Sequence, residues 1–530
     1  MSTTLEVGPK VTSSRRRWLV LAVMSVGTLI VFIDNSVVNT ALPAISVDLG
    51  ASTSTLQWVI NSYVLVLAGL LLLGGSLGDR FGRRRWMSVG LIIFGAASVG
   101  AALSTTAAAL VVFRGVQGLG AALVLPATLS IITNVFPRGE RAKAIGIWTA
   151  VGALGIGIGP VLGGWLVDNI GWSSVFWLHI PILTVALFGM MIVPESRDER
   201  NLGLDVPGAV LGTSGLITLV YGIIQGPDLG WSSAEIITAF ALAVILLTAF
   251  AFVEAKSTAP MLPLKFFRQK DFTGAVVMLG LILFAMLVTF FFLTQFFQIV
   301  QGRSAFQAGL LIIPASVGMM MGAPLSGVLV KKIGPRYLVL AMAGAMIAGV
   351  LLLTGIDIES SALSVMIPLG IFGFGAGLGF PALTDTVMAA VPEADAGIGS
   401  AVNDVSRELG GALGVATIGS VVSSLYRSNV TDALAGALPD EIVDFAGEGI
   451  GLASIAAANL PDDVSATLVS AANQAFIDAM STGFQISAVF LLTSVVIAFT
   501  LIPRRVRTEQ ATLEPGGDDV EVTVSEPSAA

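Results

Sequence analysis

Apolar positions run along this chain in long blocks, not in the short periods of a half-buried helix or strand. Stretches of about 20 apolar residues, the length that crosses a hydrocarbon core, fall at 19–41, 56–78, 86–105, 109–134, 144–167, 174–194, 206–225, 235–254, 272–299, 306–330, 337–355, 363–390, 399–425 and 480–502. They predict fourteen transmembrane helices joined by short polar loops. One connection is long. Residues 428–477 hold seven Asp or Glu and neither Lys nor Arg. Two similar pieces lie in it, "LPDE" (Leu438–Glu441) and "LPDD" (Leu460–Asp463). Proline followed by acids suits a helix start, so a small helical hairpin over the outer mouth is expected, with a plain solvated loop as the alternative.

The basic residues test the count. An even number of spans puts both termini on one side, and that side then holds 23 of the 27 Lys and Arg. Arg303 and Arg427 lie opposite, and Arg114 and Arg407 fall within spans. A miscounted helix would scramble the separation, so the positive-inside rule predicts both termini in the cytoplasm. Composition agrees: the 530 residues are 55% hydrophobic and 12% charged, against about 25% charged in soluble domains. The net charge of −8 says little about partners, because the charges are segregated by side. With no cysteine, disulfides, thiolate metal sites and cysteine chemistry are excluded. No phosphate-binding G-x-x-x-x-G-K-[ST] occurs, so an ion gradient is the expected energy source. No metal, cofactor or nucleic-acid partner is expected.

The two halves repeat. In "GGSLGDRFGRRR" and "LSGVLVKKIGPRY", Gly75, Leu77, Gly82 and Arg84 match Gly327, Leu329, Gly334 and Arg336 at a constant offset. The expected organisation is an N-terminal cytoplasmic tail (1–18), a six-helix bundle (19–194), two inserted helices with their loops (195–271), a second six-helix bundle (272–502) that includes the external segment 428–477, and a disordered acidic cytoplasmic tail (503–530). Duplicated bundles are a transporter signature.

Four motifs resemble one family. "GSLGDRFGRRR" (Gly75–Arg85) resembles the loop 2–3 signature of the major facilitator superfamily, and "RGVQGLGAA" (Arg114–Ala122) its span-4 motif. "GIGIGPVLGG" (Gly155–Gly164) resembles the span-5 antiporter motif of its exporters. "DNSVVNTALP" (Asp34–Pro43) is similar to the span-1 motif of the fourteen-span drug:proton antiporters of the QacA/EmrB type. The resemblance runs in order over nearly the whole chain. It implies an all-α major facilitator fold in the cell membrane of a prokaryote, acting as a monomer and not as an enzyme.

Each motif also has a physical reading. In the loop 2–3 stretch, the small Gly75 and Gly82 allow close helix approach. Asp79, with Arg80 and Arg83 beside it, is placed to face a helix dipole or a basic residue such as Arg141. That would hold one side shut as a conformational switch. The repeat has Lys331 at the matching position, so the first half is expected to carry the lock alone. In span 5, Gly155, Gly159 and Gly163 share one bare face, with Gly164 beside it, and Pro160 permits a kink. The resemblance implies that this helix packs across the bundles and limits leak.

Candidate coupling residues lie deeper. Asp34 sits roughly 22 Å along the first span from Leu19. Arg114 enters the fourth span on the same side. A buried charge is costly and a facing pair costs less. Burial and a neighbouring guanidinium act in opposite directions on a carboxylate's proton, which makes Asp34 a candidate proton carrier. The alternative is a permanent ion pair with Arg114. In span 13, Asp404 and Glu408 are four residues apart on one helical face with Arg407 beside them. The resemblance associates acids here with cationic substrates and coupling; Glu408 is the deeper. Asn61 stands where some relatives carry an aspartate, which leaves divalent cations in question. The single histidine, His179, reads as a structural hydrogen-bonding residue, with a proton relay as its alternative. Phe290–Phe292, Phe297 and Phe380 are candidates to line an apolar cavity.

The function these residues predict is exchange of external protons for lipophilic, cationic drugs, dyes or biocides by alternating access. Protons and membrane lipids are the other expected partners. The rivals are export of a lipid or endogenous metabolite on the same fold and, further off, a membrane sensor or enzyme that does not transport.

Overall fold

The computed structural model describes residues 14–197, 204–257, 260, 262–392, 396–502 and 504. Residues 1–13 and nearly all of 503–530 therefore lie outside the described residues, as do 198–203. Among the described residues there is no strand. The helices of the first half are α1 (Ser14–Leu49), α2 (Thr53–Phe81), α3 (Arg83–Ala102), α4 (Ala107–Val135), α5 (Arg138–Asn169), α6 (Ser174–Trp177) and α7 (His179–Gly189). Next come α8 (Val206–Leu229) and α9 (Ala234–Lys256). The second half comprises α10 (Lys270–Gln295), α11 (Ala305–Ile333), α12 (Pro335–Leu353), α13 (Ala362–Ala389), α14 (Ala396–Leu434), α15 (Asp440–Gly447), α16 (Ile450–Ala457) and α17 (Asp462–Thr500).

Thirteen of the described helices are long and apolar enough to cross a membrane. The sixth predicted span is a shorter apolar segment, interrupted at Leu178 between α6 and α7. The interruption has a local cause: Pro181 has no N–H to give the Trp177 carbonyl, so the helical ladder cannot run through. The first helix begins at Ser14, ahead of the expected start at residue 19. The two Pro-acid pieces differ in use. Pro439 precedes α15, the first arm of a hairpin whose second arm is α16. Pro461 instead opens α17, which runs through the predicted loop and on into the last span. The hairpin rests on the end of α1 and the start of α2: the Thr53 amide donates to the Glu448 carbonyl at 3.1 Å, and a side chain at Gly451 would strike Ser46.

Packing follows the internal repeat. In the first half α2 lies on α4, α3 on α4 and α1 on α5; in the second, α11 lies on α13, α12 on α13 and α10 on α14. The two groups meet along α5·α11 and α2·α14, which are the same pair under that repeat. The positive-φ residues Gly82 (φ 115°) and Gly334 (φ 84°) occupy corresponding junctions, where a side chain would be strained.

The described hydrogen bonds between the two groups all lie toward the side carrying 428–477, the loop side. Asp168, ending α5, caps α11 through the amides of Ala305 (2.8 Å) and Phe306 (2.9 Å). The Thr294 hydroxyl, which donates to the Phe290 carbonyl, meets the Asn39 amide at 3.4 Å, and Gln298 donates to the Thr40 carbonyl (2.9 Å). The helix α8 spans this seam. Its Asp228 accepts from Ser54 of α2 (2.6 Å) and pairs with Arg427 of α14 (3.0 Å).

Candidate functional site

Asp34 and Arg114 meet. Arg114 Nη1 donates to both Asp34 oxygens, at 2.8 and 2.6 Å, and the two side chains are 1% and 0% exposed. The guanidinium is held from three further directions. Nε donates to the Val59 carbonyl (3.1 Å), Nη1 also to Gln117 Oε1 (3.0 Å), and the Tyr63 ring lies 4.3 Å away. Gln117 Nε2 then donates to Ser98 Oγ (2.8 Å), Ser98 lies 3.3 Å from His179 Nδ1, and His179 Nε2 comes within 3.5 Å of Asp34 Oδ1. The chain of polar groups closes on itself through α1, α4, α3 and α7. Sequence reasoning paired Asp34 with Arg114. It did not place His179 beside them, because the contact spans unrelated positions on separate helices.

The second cluster is open. A cavity between the two groups of helices is lined by Phe32, Asn35 and Asn39 of α1, Pro160 of α5, Phe290 and Thr294 of α10, Ser316 of α11, and Arg407 and Glu408 of α14, among others. Its wall is largely aromatic and aliphatic, and Glu408 is the one acid lining it. Arg407 is 26% exposed and sits 3.6 Å from Asp404, itself 37% exposed and outside the cavity lining. The guanidinium also covers the Phe380 ring at 4.9 Å. Of the expected aromatic lining, Phe290 is present, whereas Phe291, Phe292 and Phe297 are buried in the core. Asp34 is not in the lining; its neighbours Asn35 and Ser36 are. Asn61 is likewise absent from it. Its amide is fully buried and finds no hydrogen-bond partner among the described residues.

The loop 2–3 stretch corrects one expectation. Asp79 pairs with Arg83, at 2.7 Å, and lies 3.4 Å from Ser130 Oγ. Arg141 instead donates to the Phe136 carbonyl at 3.0 Å. Arg83 opens α3 just past the Gly82 turn, so it reaches Asp79 across a tight junction, and Asp79 stays within its own half of the molecule. Arg80 lies over Phe81 at 5.3 Å. A side chain at Gly75 would make only ordinary contact with Pro126, whereas one at Gly82 would strike the Glu195 carboxylate.

The span-5 motif serves two interfaces. Gly155, Gly159 and Gly163 face α1, in the same half: side chains there would press on Leu29, Ser36 and Val37. The contacts across the halves come from the other face. A side chain at Gly164 would overlap the Ala305 carbonyl, and one at Gly309 the Pro160 carbonyl. The expected cross-bundle packing thus rests on Pro160 and Gly164, not on the regular glycine stripe. Asp168, which closes this seam, was missed by sequence reasoning. The Ser304–Gln307 capping box marked the start of α11 but could not name its partner.

The sequence profile of the Major Facilitator Superfamily matches residues 24–415. The chain belongs to that superfamily. It is therefore a multi-pass membrane transporter, not an enzyme. It is similar to the multidrug resistance protein Stp of Mycobacterium tuberculosis (36% identical, covering 81% of this chain and 80% of that one). It is also similar to the tetracenomycin C resistance and export protein of Streptomyces glaucescens (33%, 92% of each) and to the multidrug efflux pump LfrA of Mycolicibacterium smegmatis (33%, 94% and 99%). Among solved structures, a bacterial homologue of the human lysosomal transporter Spinster, inward-facing and unoccupied, superposes with a TM-score of 0.60 at 18% identity, covering 92% of this chain and 98% of that one. That last likeness speaks for the superfamily fold alone.

Proposed function

We propose that this transporter is a proton-coupled antiporter that exports lipophilic, cationic drugs, dyes or biocides by alternating access. The observation that carries the reading is Glu408, a carboxylate facing an apolar, aromatic cavity between the two halves. Such a group attracts a hydrophobic cation and also binds a proton, and competition between the two couples their movements. The names of the relatives, resistance and efflux proteins, support export as the direction.

The proposed topology puts both termini in the cytoplasm of a prokaryotic cell and 428–477 outside. The loop-side seams then close the external face, and the chain is in an inward-facing state. The bundles 19–194 and 272–502 rock against each other, with 195–271 inserted between them, and the monomer is the working unit. Asp79 acts in switching: bonded to Arg83 here, it is free to engage the other half when the cytoplasmic side shuts.

The test is ethidium efflux from cells expressing the protein, with and without a protonophore. Accumulation on protonophore addition is expected. Efflux indifferent to the protonophore overturns the coupling. Export that cationic dyes fail to inhibit favours the rival reading, an endogenous metabolite, for which Arg407 offers the complementary charge.

A further inference from the structure

The polar ring around Asp34 is one hydrogen short. Arg114 has only donors, so Gln117 must turn its oxygen toward it (3.0 Å) and its amide nitrogen toward Ser98 (2.8 Å). Ser98 Oγ lies 2.9 Å from the Phe94 carbonyl, which can only accept. The single hydroxyl hydrogen of Ser98 therefore points at Phe94. The imidazole Nδ1, 3.3 Å from the same oxygen, is left as the donor in that contact. A neutral imidazole with its hydrogen on Nδ1 presents a bare lone pair at Nε2. That lone pair faces Asp34 Oδ1 at 3.5 Å, acceptor against acceptor. Among the described residues Nε2 has no hydrogen-bond partner, although the ring is fully buried. A proton placed between the two atoms turns the contact into a charge-assisted hydrogen bond.

We propose that His179 and Asp34 together form the proton-holding site of the transport cycle, sharing one proton between Nε2 and Oδ1. This rests on the proton coupling proposed above. No other bond changes: the proton comes from water on one side and returns to water on the other. The charged and titratable groups around the pair are few. Asp34 comes from α1, Arg114 from α4 and Tyr63 from α2. The helix α3 contributes Ser98 and Phe94, and α6 the Phe176 ring, 6.4 Å from the imidazole. Arg114 already balances Asp34, so the loaded site carries a net positive charge in a dry interior. Such a state is held only while the carboxylate stays aligned with the imidazole, and it releases its proton when α1 shifts. The trigger is on the same helix. Asn35 and Ser36, adjacent to Asp34, line the cavity, and Asn39 is tied to Thr294 across the halves. Substrate arrival or opening of that seam moves Asp34 against His179.

Because the chain has one histidine, labelling with 13C,15N-histidine reports this site alone. The protein is reconstituted in lipid nanodiscs and its imidazole nitrogens are followed by NMR from about pH 9 to about pH 5. The expected result is a neutral ring with hydrogen on Nδ1 at high pH that gains a proton on Nε2 as pH falls. The step should shift in Asp34→Asn, or in Asp34→Asn/Arg114→Gln where the single variant expresses poorly. A ring fixed with its hydrogen on Nε2 throughout overturns the proposal, as does a titration unchanged by loss of Asp34. The functional arm uses proteoliposomes. His179→Gln should lose efflux driven by an imposed pH gradient while retaining dye binding, and wild-type rates in that variant also overturn the dyad. Failure of the wild-type protein to respond to the gradient would instead refute the coupling itself, a result the spectrum does not depend on.

Discussion

The two acid clusters of this transporter sit in opposite environments. Asp34 is enclosed by four helices, takes both its bonds from one guanidinium and touches no cavity. Glu408 faces the space between the halves, with Arg407 half turned away onto Phe380. The first arrangement suits a group that must hold a small ion in a fixed geometry, because every neighbour is itself held. The second suits a group that must accept ligands of many shapes, because an apolar wall makes few directional demands. On the proposed reading, the difference separates the two tasks of an exchanger between two sites. It also separates what mutation should do: stability is at stake in the sealed cluster, and specificity in the open one.

The sharpest way to break this contrast is Asp34→Asn. Removing one partner of a buried ion pair leaves the other charge stranded and costs about 3–5 kcal/mol. Arg114 is 1% exposed, so the variant should express poorly and melt well below wild type in a thermal-shift assay in detergent. Asp34→Asn/Arg114→Gln should recover expression without recovering efflux driven by a pH gradient. Normal folding of the single variant would show that the Val59 carbonyl, Gln117 and the Tyr63 ring suffice to hold the guanidinium. Full efflux by the double variant would remove Asp34 from coupling altogether.

Glu408→Gln should behave oppositely. The side chain faces the cavity, so its loss strands no charge, and stability should stay within about 0.5 kcal/mol of wild type. Binding and efflux of a monovalent cationic dye should nonetheless fall severely, measured by fluorescence titration and transport on the same preparation. Unchanged dye binding would move the substrate charge away from α14.

The sequence displayed some of this and concealed the rest for definite reasons. Span positions follow from the length of apolar runs, which depends on neither partner nor packing. The Asp34–Arg114 pair was legible because depth along two spans is simple arithmetic and two lone charges in hydrocarbon must find each other. The depth of Glu408 was legible in the same way. Direction was not. Asp79 has acceptable basic partners near and far, and spacing alone does not choose Arg83 over Arg141. Nor does a glycine stripe say whether it faces its own half or the other. Asp168 and Asp228, which close the loop side, lie just past the ends of apolar runs, and nothing in the sequence points to their partners on distant parts of the chain.

Closure of the loop side sets a smaller effect against the two clusters. Asp228 joins the inserted α8 to both α2 and α14. It is partly exposed, so Asp228→Asn should cost only about 0.2–1 kcal/mol of stability. Its effect should appear as increased reactivity of a cysteine placed at Gln57, a buried position packed on Gly419 in the α2·α14 seam. The cysteine-free background makes the comparison clean. Equal labelling with and without Asp228 would show that the inserted helices are bystanders to closure.

The smallest perturbation tests the frame in which all the others are read. Ala437 is exposed in the turn between α14 and α15, at the far end of the molecule from the Arg83 and Arg336 junctions. If the bias of basic residues orients the chain as proposed, Ala437→Cys should react with an impermeant maleimide in intact cells. Its efflux should match wild type, because the Ala437 side chain is exposed. The site matters: Ala446, in the same segment, is fully buried within α15 and would stay unlabelled whichever side it faced. A cysteine at Lys332, exposed at the end of α11 on the opposite side of the fold, should label only after lysis. Labelling of Ala437→Cys only after lysis would invert the topology. The seams joining the halves would then close the cytoplasmic face, and Glu408 would await its substrate from outside the cell. This conformation would then be outward-facing. A labelling experiment that changes neither stability nor rate therefore decides to which side the Glu408 cavity opens in this state.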